Sequence, residues 1–176
     1  MKTTTVLAAL LLATGTAYAG GQDGSIGAGV EFQQQPFTLF TGGGVVISTP
    51  IGGPSLNYDA GKFHVGGFLG LSDPGGAGNT DIAFGARFYY HVHSTAMSDF
   101  GVGAGLGIFD YDTGPGANEG RRTLVYLEPG IQIRAFIASN VALSFTAGLS
   151  IGAADADGVS LSGQATGAAG IHYYFF

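Results

Sequence analysis

Cysteine and tryptophan are both missing from this 176-residue chain, and only 10% of its residues are charged. Without cysteine there is no disulfide, no thiolate ligand and no cysteine to carry a lipid anchor, so sorting information must lie in ordinary side chains. Long apolar runs are scarce as well. Beyond the first twenty residues they are broken by Gly, Ser or Thr every second or third position, which leaves no stretch long enough for a spanning helix. Positive charge is the rarest commodity, six Lys and Arg against twelve Asp and Glu. That acidity argues against binding nucleic acid or an anionic surface through bulk electrostatics.

Glycine, in contrast, is abundant at 33 residues, beside 45% hydrophobic and 12% aromatic content. High glycine with high charge and few aromatics would signal disorder; this mixture fits a membrane β-barrel. The chain opens with an export signal: Lys2 gives the positive end, Val6 to Ala13 the apolar core, and Ala17-Tyr18-Ala19 a small-x-small cleavage site. The apolar run is too short for a membrane anchor. Residues 1–19 are therefore predicted to be removed after Ala19, leaving one domain over 20–176, and losing Lys2 takes the formal charge from −6 to −7.

Alternation with a period of two dominates what remains. Around Glu31, Ile26, Ala28, Val30 and Phe32 oppose Ser25, Gly27, Gly29, Glu31 and Gln33, which gives a strand one greasy and one polar face. Eight such segments follow one another, separated by turn residues near 42, 60, 76, 95, 115, 139 and 156. The predicted fold is all-β: an eight-stranded antiparallel up-and-down transmembrane barrel, grease to lipid and charge to the lumen, with both termini periplasmic. A soluble lipocalin-like barrel would reverse the faces, and the Gly-x-Trp usual there is absent. With periplasmic termini, the long polar stretch 110–121 falls outside and the tight turn 138–140 falls in the periplasm, as barrels of this kind prefer. Tyr58, Phe63, Tyr90, Phe100, Tyr173 and Phe175 share outward parity at the periplasmic end and are predicted to form an interfacial girdle.

The inward parity collects the chemistry. Glu31, Arg87, Glu128 and Arg134 form a candidate charge network, with His64, Asp81, Gln132, Gln164 and His172 as further lumen polar groups. Gly101, Gly103, Gly105 and Gly107 leave a bare floor over which the two arginines are predicted to lie and meet Glu128, and Glu31 from the opposite wall. Eight strands enclose a bore just wide enough for its own side chains, so the network reads as a plug rather than a pore. No catalytic, cofactor or metal site is predicted. His91-Val92-His93-Ser94 resembles the His-x-Ser pair of outer-membrane lipid A deacylases but is read as lying on a periplasmic turn; two histidines alone do not make a metal site. Asp155, Asp157 and the Asp110, Asp112, Glu119 group lack the spacing of a calcium loop. Residues 36–51 are read as a hairpin around Gly42-Gly43-Gly44, extending the first two strands beyond the membrane.

The export signal, the eight alternating segments and the ending Ile171-His172-Tyr173-Tyr174-Phe175 resemble the small eight-stranded outer-membrane barrels, the OmpX-like and OmpA-transmembrane-domain group. In that family a terminal aromatic with apolar residues at alternate positions is the signal for the barrel-assembly machinery. The resemblance places that signal on Ile171, Tyr173 and Phe175, with Phe176 as the competing terminal aromatic. It further implies a monomer in contact with outer-membrane lipid and lipopolysaccharide, with 36–51 and 110–121 as surfaces for a partner. The function expected is non-enzymatic, structural or through surface loops; a narrow small-solute channel is the alternative, and a lipid-modifying enzyme a more distant one. Intact-mass measurement of the exported protein should give a chain beginning at Gly20; retention of residues 1–19 in the folded protein would contradict the cleavage site.

Overall fold

The period-two pattern is realised as strands in the computed structural model, which describes residues 23–33, 40–41, 44–45, 51–73, 80–112, 120–154, 158–161 and 168–175. In chain order these are β1 (Ser25–Gln33), β2 (Phe40–Thr41), β3 (Gly44–Val45), β4 (Ile51–Asp59), β5 (Phe63–Ser72), β6 (Asp81–Ser94), β7 (Ser98–Asp112), β8 (Arg121–Ala138), β9 (Val141–Ala154), β10 (Gly158–Leu161) and β11 (Ala168–Phe175). The signal segment, Gly20, Gln164, Phe176 and the Asp155 and Asp157 turn lie outside the described residues, as do 36–39, 42–43, 46–50 and 113–119.

Antiparallel pairing runs from β1 through β4, β5, β6, β7 and β8 to β9, and returns through β11 to β1. β10 pairs with one end of β9 and β11 with the other, so these two pieces together make the eighth stave of a closed barrel. Pairing of β11 with β1 closes the sheet on itself, as an apolar surrounding demands of spanning strands. The start of β1, the end of β11 and the short turns Ala60–Lys62, Thr95–Met97 and Ser139–Asn140 gather at one end, here the turn end. The opposite end, the loop end, carries the remaining connections.

Several boundaries differ from the sequence reading. The 91–99 connection is only a three-residue turn, because β6 continues to Ser94 and pairs His93 and Ser94 with Phe100 and Asp99 across a bulge. β7 and β8 likewise extend into the 110–121 stretch, pairing Asp112 with Arg121. β2 and β3 pair with each other as a two-stranded hairpin, and the residues joining them to β1 and β4 lie outside the described set.

Parity sets the two faces. Phe32, Leu56, Leu71, Phe84, Leu106 and Phe145 are among the large apolar side chains that remain more than half exposed on the outer wall. In water such a continuous surface would drive association; in a bilayer it is the solvated face. Inside, bulk alternates with absence of bulk. Asn57 and Arg87 lie over Gly66, Phe68 over Gly85, Tyr126 over Gly107, Tyr174 over Gly27 and Glu31 over Gly170. A Cβ on Gly85 would collide with the buried Phe68 ring, whereas one on Gly105 would come no closer than 3.8 Å to Ala86 O. Gly85→Ala should therefore lower stability by ~1–3 kcal/mol through overpacking, and Gly105→Ala should be close to neutral, both read from denaturant unfolding in detergent.

Candidate functional site in the barrel lumen

Two ionic clusters and one apolar layer fill the bore. The first cluster is centred on Glu31 of β1, which is 1% exposed. The β1 register places it opposite Gly53 on one side and Gly170 on the other, so its carboxylate has room to turn inward. It ion-pairs with Arg87 of β6. The same guanidinium donates to Asn57 Oδ1 at 3.2 Å. His172 Nε2 stands 2.9 Å from Glu31 Oε1 and 2.6 Å from Ser55 Oγ. Serine, histidine and glutamate thus meet, but both partners share one ring nitrogen. A nucleophilic triad needs the carboxylate on the other nitrogen, so this is a hydrogen-bonded brace and not a catalytic arrangement.

The second cluster occupies the turn end. Arg134 of β8 is 2% exposed. It ion-pairs with Asp59 at 2.6 Å and donates to Asp99 at 2.7 Å and to the Tyr174 hydroxyl at 3.0 Å. Its guanidinium also lies 5.5 Å from the Phe136 ring centre and 5.9 Å from that of Tyr174, a further stabilising geometry. His91 Nε2 sits 3.1 Å from Arg134 and 2.8 Å from His64 Nδ1, while His91 Nδ1 is 2.7 Å from the Gly61 carbonyl. His64 stacks on Tyr89.

Arg134 does not meet Glu128. The two are six residues apart on one strand, about 20 Å at β spacing. Nor do both arginines lie over the β7 glycines: Arg87 leans instead over Gly66 of β5, and the Tyr126 ring covers Gly107. Glu128 accepts from Ser150 Oγ at 2.6 Å and, with Arg87, Tyr89, Tyr126 and Thr146, borders a cavity of about 30 Å³ above Gly105. That is space for about two water molecules. Towards the loop end, Ile51, Phe68, Ala83, Phe109 and Leu124 form a buried apolar layer.

Other predicted positions are distributed as follows. Asp81 is half-buried at the loop-end start of β6, paired in register with Ser72 and remote from both clusters. Tyr58, Tyr90 and Phe175 are exposed on the outer wall near the turn end. Phe63, Phe100 and Tyr173 are half-buried there, Phe63 against Phe88 and Tyr173 against Phe175. Ile171 faces outward and His172 and Tyr174 inward, so β11 presents Ile171, Tyr173 and Phe175 on its outer face.

Sequence reasoning missed Asp59, Asp99, His91 and Ser55 as members of the lumen. Asp59 and Asp99 looked like turn residues, yet each continues the inward parity of its strand, which was the available signal. His91 lies within β6, not on a turn, and its ring enters the bore. Ser94 is exposed. Among the described residues, no group of three His, Cys, Asp or Glu side chains is arranged to hold a metal.

Neither a family model nor a curated protein matches the chain. Solved structures share its fold, two of them as follows. The solution structure of outer membrane protein H (OprH) from P. aeruginosa in DHPC micelles has a TM-score of 0.55 at 10% identity, covering 86% of this chain and 99% of that one. The crystal structure of Ail, the attachment invasion locus protein of Yersinia pestis, has a TM-score of 0.51 at 13% identity, covering 88% and 100%. The fold is that of the small eight-stranded outer-membrane barrels.

Breaking the first cluster should be costly. Glu31→Ala strands the Arg87 guanidinium in the bore and should lower stability by ~3–5 kcal/mol. Adding Arg87→Leu removes the lone charge and should recover much of that loss in a double-mutant cycle. A double variant less stable than Glu31→Ala would show that the pair is not what holds these strands.

Proposed function

We propose that this chain is an exported, monomeric, non-enzymatic outer-membrane barrel with a closed bore, acting through its loop end and not through transport. The observation that carries the reading is the filling of the lumen: ionic clusters around Glu31 and Arg134 towards the turn end, and the Phe68, Phe109 and Leu124 layer towards the loop end. Solute would have to separate ion pairs and cross that apolar layer. An eight-stranded wall has no spare width in which to do so.

The turn end faces the periplasm in this reading, since short turns belong on that side and longer connections outside. Tyr58, Phe63, Tyr90, Phe100, Tyr173 and Phe175 then lie at the inner interface as an aromatic belt in contact with lipid. Ile171, Tyr173 and Phe175, with their outward parity, form the signal presented to the barrel-assembly machinery. Lipopolysaccharide surrounds the outer half. Residues 36–51 and 110–121 lie at the loop end, where they would meet a surface partner.

The non-enzymatic assignment rests on how the lumen histidines are engaged. Both His91 nitrogens have close partners, and His172 shares a single nitrogen between Ser55 and Glu31. Neither arrangement offers a free base beside an accessible nucleophile. In planar bilayers at pH 7.5 the purified barrel should be silent or flicker rarely. Steady conductance would establish the narrow-channel alternative instead, and lipid A altered on expression of the wild type but not of His91→Ala would establish a lipid-modifying enzyme.

A further inference from the structure

Among the described residues two prolines stand inside strands of the wall, Pro54 in β4 and Pro129 in β8. Proline has no backbone N–H to give to a ladder and seldom sits in the middle of a sheet. Each marks a break. The β8–β9 ladder skips Glu128 and Pro129 and resumes on both sides, Leu127 pairing with Ile151 and Gly130 with Gly148. There the Ser150 hydroxyl donates to Glu128 at 2.6 Å and joins the same two strands across the interruption.

The break at Pro54 does not resume. Among the described residues β4 pairs with β5 from Asp59 and His64 to Ser55 and Phe68, although β4 runs on to Ile51 and β5 to Ser72. Both strands keep their other neighbours: β1 stays in register with β4 as far as Gln33 and Ile51, and β5 with β6 as far as Ser72 and Asp81. The wall thus has a seam of four residues on each strand between two well-laddered sides, about 13 Å long at β spacing. Glu31, in register with Gly53, ties β1 to Arg87 of β6 at its foot. Parting of the sides is therefore hinged there and widest at the loop end.

What the seam separates is apolar on both faces. Outside, Leu69 and Leu71 of β5 and Phe32 of β1 are exposed. Inside, Ile51 and Phe68 flank the seam as members of the buried layer with Ala83, Phe109 and Leu124, none of which carries a polar side-chain group. Between them Gly53 and Gly70, of inward parity, leave the wall as bare backbone. Ile51 covers Gly70, its Cγ1 2.9 Å from where a Cβ would stand. A polar ligand finds no partner in that layer, whereas a hydrocarbon chain that displaces Ile51 exchanges one apolar contact for another.

We propose that the β4–β5 seam is a lateral port through which one acyl chain of a surrounding lipid enters the loop-end bore, displacing Ile51 and packing on Phe68, Ala83 and Leu124. The chain stops at the ionic clusters below, so the bore stays closed to solutes. The port rests on the reading of the outer wall as lipid-facing and goes beyond it.

Methyl NMR of the folded barrel in lipid nanodiscs tests this, with the protein deuterated except at Ile and Leu methyl groups and the lipid left protonated. At short mixing times, NOEs from lipid chain methylenes should reach the buried Ile51 and Leu124 as well as the outward Leu56 and Leu71. Pro54→Val returns an N–H to the seam and should weaken the inward NOEs, relative to those at Leu71, by about fivefold, the population shift that one restored hydrogen bond supports. Pro129→Val, at the bridged break, should leave them as in the wild type. Lipid NOEs confined to the outward methyls would overturn the port while upholding the lipid-facing wall; their absence from Leu56 and Leu71 as well would refute the wall and the port together. Inward NOEs unchanged in Pro54→Val, or weakened equally in Pro129→Val, would overturn the seam as the point of entry. If the variants do not fold, the wild-type NOEs at Ile51 and Leu124 decide alone.

Discussion

Arg134 is the residue on which the inside of this barrel depends. One guanidinium, almost wholly withdrawn from solvent, joins carboxylates from β4 and β7 to the tyrosine of the last strand. A planar fork of donors suits that task, since it serves several acceptors in fixed directions; a lysine ammonium would not. Buried ion pairs seldom add net stability over an apolar filling, but a broken one is severely unfavourable. The consequence here is specificity of closure. β11 must reach β1 in a register that puts Tyr174 against Arg134 and His172 against Glu31, and a one-residue slip would turn both towards lipid.

The second constraint is volume. Eight strands leave a bore that inward side chains must fill without excess, so each large group needs a neighbour that has given up its own. The glycines of this chain supply that. Gly66 beneath Arg87, Gly85 beneath Phe68, Gly107 beneath Tyr126 and Gly27 beneath Tyr174 are spaces defined by the residue across the ladder. The abundance that composition alone would assign to flexibility is, in the wall, a matter of packing. Charge and volume thus act together: a guanidinium can be buried only where both its partners and its space are provided.

How much of this could be read beforehand follows from what period two contains. Parity determines which face a side chain takes, so Glu31, Arg87, Glu128 and Arg134 are identifiable as inward from sequence, and the outward apolar set with them. Parity says nothing about height across strands. The expected meeting of Arg134 with Glu128 failed for that reason, because partners are set by the stagger between β4, β7 and β8 and by the true ends of the strands. Asp59 and Asp99 were lost to a turn reading that ended their strands too early. The apolar layer went unnoticed because Phe68, Phe109 and Leu124 were inward residues in a bore assumed to be polar throughout. Only the register reveals that they stand together.

These constraints divide the molecule into regions with different freedom to change. The outer wall answers to lipid and needs only apolar bulk, as Leu56, Phe84 and Ile131 show by their exposure. The bore answers to itself: each inward residue is tied to a space or a charge on a neighbouring strand, so most single changes there leave a hole, a collision or a stranded ion. Neither region is well placed to acquire specificity for a partner, the wall because lipid requires uniformity and the bore because it is full. What stays free is the rim. The turn end is committed to short connections and to the Arg134 cluster beneath them, whereas connections at the loop end can lengthen and vary without disturbing either register or packing. That asymmetry follows from the physics of a narrow closed barrel, and it is the reason the proposed function is placed at the loop end.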